Sequence, residues 1–317
     1  MPVLKGVLER PGGWLMGVSR KGGALVVRVS SDRGRSWSDR SVAARSERPD
    51  LGDGNLVATG DGTLALSYRD NVPPRHAVRV VQSRDGGRSW SAPSTVEEGG
   101  HGLWAPFLLA IRGRGLTCFF DDEGAPALVG RAGHQWISAR SLKGESWGPK
   151  ALVSRDSEDN LSRDGMFAAV ELENGWIAGG IEDVAERDPR PSGIYRVFSP
   201  DGGQSWRREG TIFLPRWPHM AVAPTMVRLP DGRLLCAFAT DAGLPTPTRS
   251  GTPPHRMPLE TWGALSSDGG RVWGAAFPIH RGTARDYLPA LTPRRGGAWL
   301  NVLDFDRGPL LLPIAVR

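Results

Sequence analysis

The chain has 317 residues, with 42 glycines, 26 prolines, 12 tryptophans and a formal net charge of +6. It is long enough to bury a large core, and its glycine and proline content, with apolar residues hard to find at helical spacing, points to an all-β fold with many turns. The positive charge is mostly arginine spread through the turns, with no Lys/Arg run longer than a pair and no basic helix, which argues against a nucleic-acid partner; no apolar run reaches transmembrane length, which argues against a membrane span.

Two patterns alternate along the chain. Val7 to Arg20 supplies the first apolar two-strand unit, and the alternating run Ala24 to Val29 then enters the turn Ser30-Ser31-Asp32-Arg33-Gly34-Arg35-Ser36-Trp37. The second unit runs from Asn55-Leu56 to Ser67-Tyr68-Arg69-Asp70, and His76 to Val81 enters Ser83-Arg84-Asp85-Gly86-Gly87-Arg88-Ser89-Trp90. The third goes from Trp104 through Phe107-Leu108-Leu109 to Asp121-Asp122-Glu123. It is followed by a degraded turn, Ser141 to Trp147, with Lys143 in the aspartate position and one residue missing. The fourth, Met166 to Glu182-Asp183, precedes Ser199-Pro200-Asp201-Gly202-Gly203-Gln204-Ser205-Trp206. The fifth, Met226 to Thr240-Asp241, precedes Ser266 to Trp273, in which Val272 replaces the second serine; a weaker sixth runs from Leu288 to Asp306.

The turn frame is hairpin chemistry: an aspartate that can accept hydrogen bonds from the following backbone N–H groups, a glycine for positive φ, and a tryptophan to bury beneath. Because the frame recurs, a structural role for these residues outweighs a catalytic one. Several strands per unit at a period of roughly 50 to 65 residues is the signature of a propeller, not of a sandwich or a helical solenoid. The expected architecture is a single six-bladed β-propeller over residues 1–317, its last blade completed by a strand from the opposite terminus to remove free edges. Two Gly/Pro-rich loops, 187–193 and 244–258, interrupt the pattern, and the second is expected to cover the mouth or an interface.

Inner strands of a propeller end on one concave rim, so the polar residues that close them mark the expected site: Arg69 and Asp70, Asp122 and Glu123, Glu182 and Asp183, Asp241, and Tyr287. Carboxylates with arginines and a tyrosine suit glycosyl transfer, in which one group protonates the leaving oxygen and a second stabilises or attacks the anomeric carbon. Trp104 is a candidate for stacking on a sugar ring, although a buried core tryptophan is the commoner fate. Cys118 and Cys236, in apolar strands of different repeats, read as buried free thiols. The histidines show no metal-ligand spacing, so neither a metal nor another cofactor is expected. With no leader visible at Met1, a cytoplasmic chain is expected, or a secreted one if a leader was removed; its form is a monomer or small homo-oligomer.

The repeated turns resemble the Asp-boxes of the sialidase superfamily, whose members are six-bladed propellers. Asp50 to Asp241 is similar to the exo-1,5-α-L-arabinanase family, through Asn55-Leu56, Ser67-Tyr68-Arg69-Asp70, Gly102 to Leu109, and Arg163-Asp164-Gly165-Met166 leading to Glu182. The resemblance implies an exo-acting glycoside hydrolase on oligosaccharide or polysaccharide, arabinan-type or sialic-acid-type. Glu182 falls where the arabinanase family carries one of its two catalytic glutamates. The second is expected at Ala242, where the neighbouring Asp241 is a carboxylate one methylene shorter. By the sialidase pattern Tyr287 is the nucleophile, Glu182 its activating base, Asp70 the acid, and Arg69 and Arg163 two of the arginines; that superfamily's Arg-Ile-Pro is absent, Arg48-Pro49-Asp50 being the nearest string at the wrong spacing, so sialidase activity ranks behind a sugar hydrolase of related type. Arg69, Trp104, Asp122, Glu123, Arg163 and Asp164 are the expected substrate-binding set.

Two rivals belong to other classes. A non-catalytic carbohydrate-binding propeller fits the missing glutamate. A polysaccharide lyase would use Tyr287 with His101 or His219 on a uronate-containing glycan.

Overall fold

The structure is a computed structural model that describes residues 5–46, 50–127, 134–155, 162–185, 192–248, 257–281, 286–304 and 308–315. The described residues are almost wholly β-structure, with one four-residue helix, α1 (Gly124–Ala127). No helix among them is long and apolar enough to cross a membrane. The strands form six small antiparallel sheets, the six blades expected of the propeller, and each blade is contiguous in sequence. Three sheets lie in the compact unit Pro2–Leu152 and three in the unit Val153–Arg317.

In the first unit, the first blade is β1 (Lys5–Glu9), β2 (Leu15–Lys21), β3 (Ala24–Ser30) and β4 (Ser38–Arg45). The second is β5 (Leu51–Ala58), β6 (Leu64–Asp70), β7 (His76–Ser83) and β8 (Ser94–Gly99). The third is β9 (Leu103–Ile111), β10 (Gly115–Asp122) and β11 (Trp136–Lys143), with the two-residue strands β12 (Ser146–Trp147) and β13 (Ala151–Leu152) both on β11. In the second unit, the fourth blade is β14 (Ser162–Glu171), β15 (Ile177–Ala185), β16 (Gly193–Ser199) and β17 (Arg207–Phe213). The fifth is β18 (Ala221–Arg228), β19 (Leu234–Thr240), β20 (Glu260–Ser266) and β21 (Phe277–His280). The sixth is β22 (Asp286–Arg294), β23 (Gly297–Asp304) and β24 (Gly308–Ala315). Contrary to the expectation from the sequence, the last blade is not completed by the described strand nearest the opposite terminus. Among the described residues the last blade holds three consecutive strands, and β1 pairs with β2 as the first strand of its own blade.

The second strands are buried on both faces, which is why they read as unbroken apolar runs. In β6, Leu64 and Leu66 join one core cluster with Met16, Val27 and Leu56, while Ala65 joins a second with Val80, Leu108 and Phe120. Alternate side chains thus serve the cores on either side of the sheet. All seven residues of β19 are buried. Cys118 and Cys236 sit in these strands as buried free thiols, and burial raises the pKa of both.

The repeated turns join third strands to fourth strands as the sequence implies. In the second blade Asp85 Oδ1 accepts from the backbone N–H of Arg88 at 2.9 Å and of Ser89 at 3.0 Å, and Oδ2 accepts from Ser89 Oγ at 2.6 Å. Ser83 Oγ in turn accepts from Gly87 N–H at 2.8 Å. These bonds hold the Asp85 carboxyl well below the usual carboxylate range. The degraded copy, with Lys143 in the aspartate position, closes instead as a short ladder pairing Leu142 with Trp147 and Lys143 with Ser146.

A feature the sequence does not announce recurs in the first strand of the blades. The ladder skips between Gly52 and Asn55, between Gly165 and Ala168, between Val222 and Thr225, and between Tyr287 and Ala290, with a similar irregularity in β9. At these bulges Asp53, Ala105, Met166, Ala223 and Leu288 take φ of 54°, 40°, 53°, 54° and 48°. Proline follows at 106, 224 and 289, where the broken ladder has no need of its missing N–H. Just past two bulges, side chains stitch neighbouring blades: Asn55 Oδ1 accepts from Leu108 N–H at 2.8 Å, and Thr225 Oγ1 accepts from Leu291 N–H at 3.0 Å.

Candidate active site

In the second unit acidic residues lie near the ends of two second strands, Glu182 and Asp183 toward the end of β15 and Asp241 just past β19, beside the bulged ends of the first strands. Glu182 in β15 pairs with Gly165 in β14 and with Ile194 in β16. Gly179, just upstream, leaves room for a neighbour, since a Cβ there would stand 2.9 Å from the Phe167 ring. The Glu182 side chain is half-buried. Its Oε2 accepts the backbone N–H of Ala223 at 2.7 Å, a donor that the bulge in β18 has taken out of the ladder. Arg163 lies two positions along β14 from Gly165, on the same face of the sheet as Glu182. Burial pushes the Glu182 carboxyl up to about 6, against the Ala223 N–H and the Arg163 charge, which both pull it down.

The next residue along points to the opposite face and is bound to the fold. Asp183 stands directly across from Asp164, and both carboxylates are fully buried. Arg208 of β17 ion-pairs with Asp183 and approaches Asp164 at 3.4 Å, with its guanidinium 4.6 Å from the centre of the Tyr195 ring. Asp241 is also fully buried. Oδ1 accepts Met220 N–H at 2.7 Å, Oδ2 accepts Thr248 N–H at 2.5 Å, and His219 Nδ1 lies 3.5 Å away. Both of its oxygens are therefore spent on fixing the loops on either side. Ala242, where a second glutamate was expected, donates its N–H to Thr240 Oγ1 at 3.1 Å.

Tyr287 lies in β22 opposite Leu303, and its side chain is outside the described residues. So are residues 187–191 and 249–256 of the two irregular loops, and Arg48 and Pro49. One buried glutamate escaped the sequence reading. Glu260 pairs with Thr240 across the β19–β20 ladder and accepts Trp262 Nε1–H at 2.9 Å, with Arg281 Nε 3.9 Å from its other oxygen.

In the first unit Arg69, Trp104 and Glu123 do come together. The Arg69 guanidinium lies 5.2 Å from the centre of the Trp104 ring, and Trp104 donates Nε1–H to Glu123 at 3.1 Å. Arg69 also pairs with Asp50 and with Asp53, each at 3.2 Å. Asp53 is the positive-φ bulge residue, and no signal in the sequence marked it beyond the glycines on either side. A 250 Å³ cavity is lined by Arg69, Asp53, Arg20 and Ser19. Asp70 faces elsewhere, in a 3.0 Å pair with Arg79. Asp122 is fully buried and caps α1, accepting the N–H groups of Gly124 and Ala125; its other oxygen takes Ser138 Oγ and Lys150 Nζ, each at 2.9 Å.

The bulge at Ala223 carries an expected outcome. Ala223→Gly relieves a left-handed residue while keeping the N–H donor, and should stabilise the protein by about 0.5–1 kcal/mol. Ala223→Pro removes the donor and demands a negative φ, and should destabilise it by about 3 kcal/mol or more. Denaturant midpoints of the two variants check both signs.

The family model described as BNR repeat-like domain matches residues 25–298. No curated protein matches the chain. Among solved structures, the chain is similar to an α-L-arabinofuranosidase of Fusarium graminearum in complex with an iminosugar inhibitor, at 14% identity and a TM-score of 0.69 over 99% of this chain and 97% of that one. It is similar to a protein of unknown function from Dyadobacter fermentans DSM 18053, at 14% identity and a TM-score of 0.67 over 94% and 88%. A Hadza microbial sialidase matches at 17% identity and a TM-score of 0.60 over 95% of this chain and 62% of that one. These likenesses show a six-bladed β-propeller fold.

Proposed function

The chain belongs to the BNR repeat-like domain family, and from that premise we propose that it is an exo-acting glycoside hydrolase in which Glu182 transfers the proton to the leaving oxygen. The observation that carries this reading is the Glu182 carboxyl itself. It is half-buried, held by an N–H that a bulge has freed, flanked by Arg163, and poised at a pKa of about 6. A carboxyl raised toward neutrality is what general-acid catalysis of glycosidic cleavage requires. Asp183, Asp164 and Asp241 lie in the same unit, and each is buried and bonded into the fold.

In the sialic-acid reading Tyr287, on the first strand of the sixth blade, is the proposed group that attacks the anomeric carbon, and Glu182 is then the base that takes the phenol proton. Tyr287→Phe tests it: loss of turnover places the nucleophile on the phenol, and unchanged turnover gives that step to water or a carboxylate. Arabinan-type ends are the proposed substrate, supported by the near full-length likeness to an arabinofuranosidase. A sialic-acid end is the second reading, favoured by the positive charge of Arg163 beside Glu182.

Aryl α-L-arabinofuranoside, aryl sialoside and arabino-oligosaccharides, assayed side by side, decide between them. The rate profile should fall as pH rises through about 6, because the acid form of Glu182 is lost there. A rate that rises through the same pH assigns Glu182 the part of base or nucleophile. No turnover on any of the three removes the hydrolase reading and leaves a carbohydrate-binding propeller.

A further inference from the structure

The turn tryptophans of the first unit are not used alike. Trp90 donates its indole N–H to Ser41 Oγ of the first blade's fourth strand at 3.0 Å, and Trp147 donates to Ser94 Oγ of the second blade's fourth strand at 3.2 Å. Each thereby rivets its turn to the blade before it. Trp37 instead donates to Gly34 O in its own turn at 3.1 Å, and it lines a 570 Å³ groove with Trp14, Arg40, Ser31 and Ser38. The volume falls within the roughly 300–1,000 Å³ of small-ligand sites.

We propose that this groove is a glycan-docking site, separate from Glu182, that takes a segment of polysaccharide chain. The groove offers the two things a sugar presents surfaces for. Trp37 and Trp14, both half-buried, line the groove with indole surface for the C–H face of a sugar, Trp14 also packing against the first blade's core. Ser31 and Ser38, both exposed, line the groove with hydroxyls that can meet those of a sugar. Arg40 is fixed in place by its Nε–H bond to Gly86 O at 2.8 Å and by its position 5.5 Å from the centre of the Trp14 ring. One arginine beside two indoles suits a mostly neutral chain and is a poor match for a phosphorylated ligand. The choice of a sugar as occupant rests on the carbohydrate-active reading; the groove's geometry does not.

The test is native electrophoresis in gels cast with linear 1,5-arabinan, arabinogalactan or polysialic acid, using the full chain carrying Glu182→Gln so that nothing is digested. Retardation in at least one gel is expected. Trp14→Ala and Ser31→Tyr should each weaken it about tenfold or more, as lost or blocked ring stacking does. Ser31→Tyr fills the groove from an exposed position that holds Arg84 and Pro200 in other copies of the turn, so the turn accepts it. In the wild-type background the same variants should leave turnover of a small aryl glycoside unchanged. Absence of retardation in all three gels, or retardation that Ser31→Tyr does not reduce, overturns the groove. Retardation lost in the variants of a protein that turns over no substrate keeps the groove and removes the hydrolase.

Discussion

Glu182→Gln should lower turnover about 100-fold or more while making the protein more stable at pH 7. The first effect is the usual scale of removing acid–base catalysis. The second follows from burial. Protonated, the carboxyl rests in its place without a desolvated charge; ionised, it carries one, and its folded pKa of about 6 lies above the ordinary 4.5. The stability tied to the proton is fully present below pH 4.5 and lost as pH rises through about 6, a difference of about 2 kcal/mol. Glutamine stays neutral and can still accept the Ala223 N–H. The variant should therefore melt a few degrees higher than wild type at pH 7 and with it at pH 4. Melting curves at both pH values, beside single-substrate rates, check the pair of effects. Equal stability at pH 7 shows that the carboxyl is not desolvated, and undiminished turnover removes it from the chemistry.

Arg208→Ala is the substitution expected to damage the fold most. It takes the guanidinium away from Asp183 and Asp164, two carboxylates with no exposed surface that face one another across the β14–β15 ladder. Removing one partner of a buried ionic cluster costs about 3–5 kcal/mol, because the remaining charge stays desolvated. Arg208→Lys keeps the charge but not the stacked fork over Tyr195, and should fall between. Denaturant midpoints of both variants beside wild type give the comparison, and a loss in Arg208→Lys equal to that in Arg208→Ala would mean that packing, not charge, is what Arg208 supplies.

The blades were legible because each carries its own punctuation. Asp32, Asp85, Asp201 and Asp268 bond within a few residues of themselves, so five letters of sequence hold the whole interaction. Glu182 could be singled out as a candidate for a related reason, since the apolar run and glycines that precede it in β15 are local. What could not be read depends on distant strands. Arg208 meets Asp164 from the far edge of a four-stranded sheet, and Glu260 finds Thr240 only through the register of β19 and β20. Asp241 and Asp122 have the composition of site residues and the bonding of loop fasteners. Counting carboxylates at strand ends cannot separate these uses, because what differs is the number of N–H groups that point back at each one.

The left-handed residue near the start of the first strand has a bearing on how such a protein could change its chemistry. At Asp53, Ala105, Met166, Ala223 and Leu288 the backbone has already adopted the conformation that takes a stretch out of the ladder. At Ala223 the released donor meets a glutamate; at Asp53 the side chain itself meets an arginine. A new acidic group beside another of these positions would meet a backbone already bent to receive it. The scaffold can therefore accumulate or relocate charged groups through single codon changes, without first reshaping a loop.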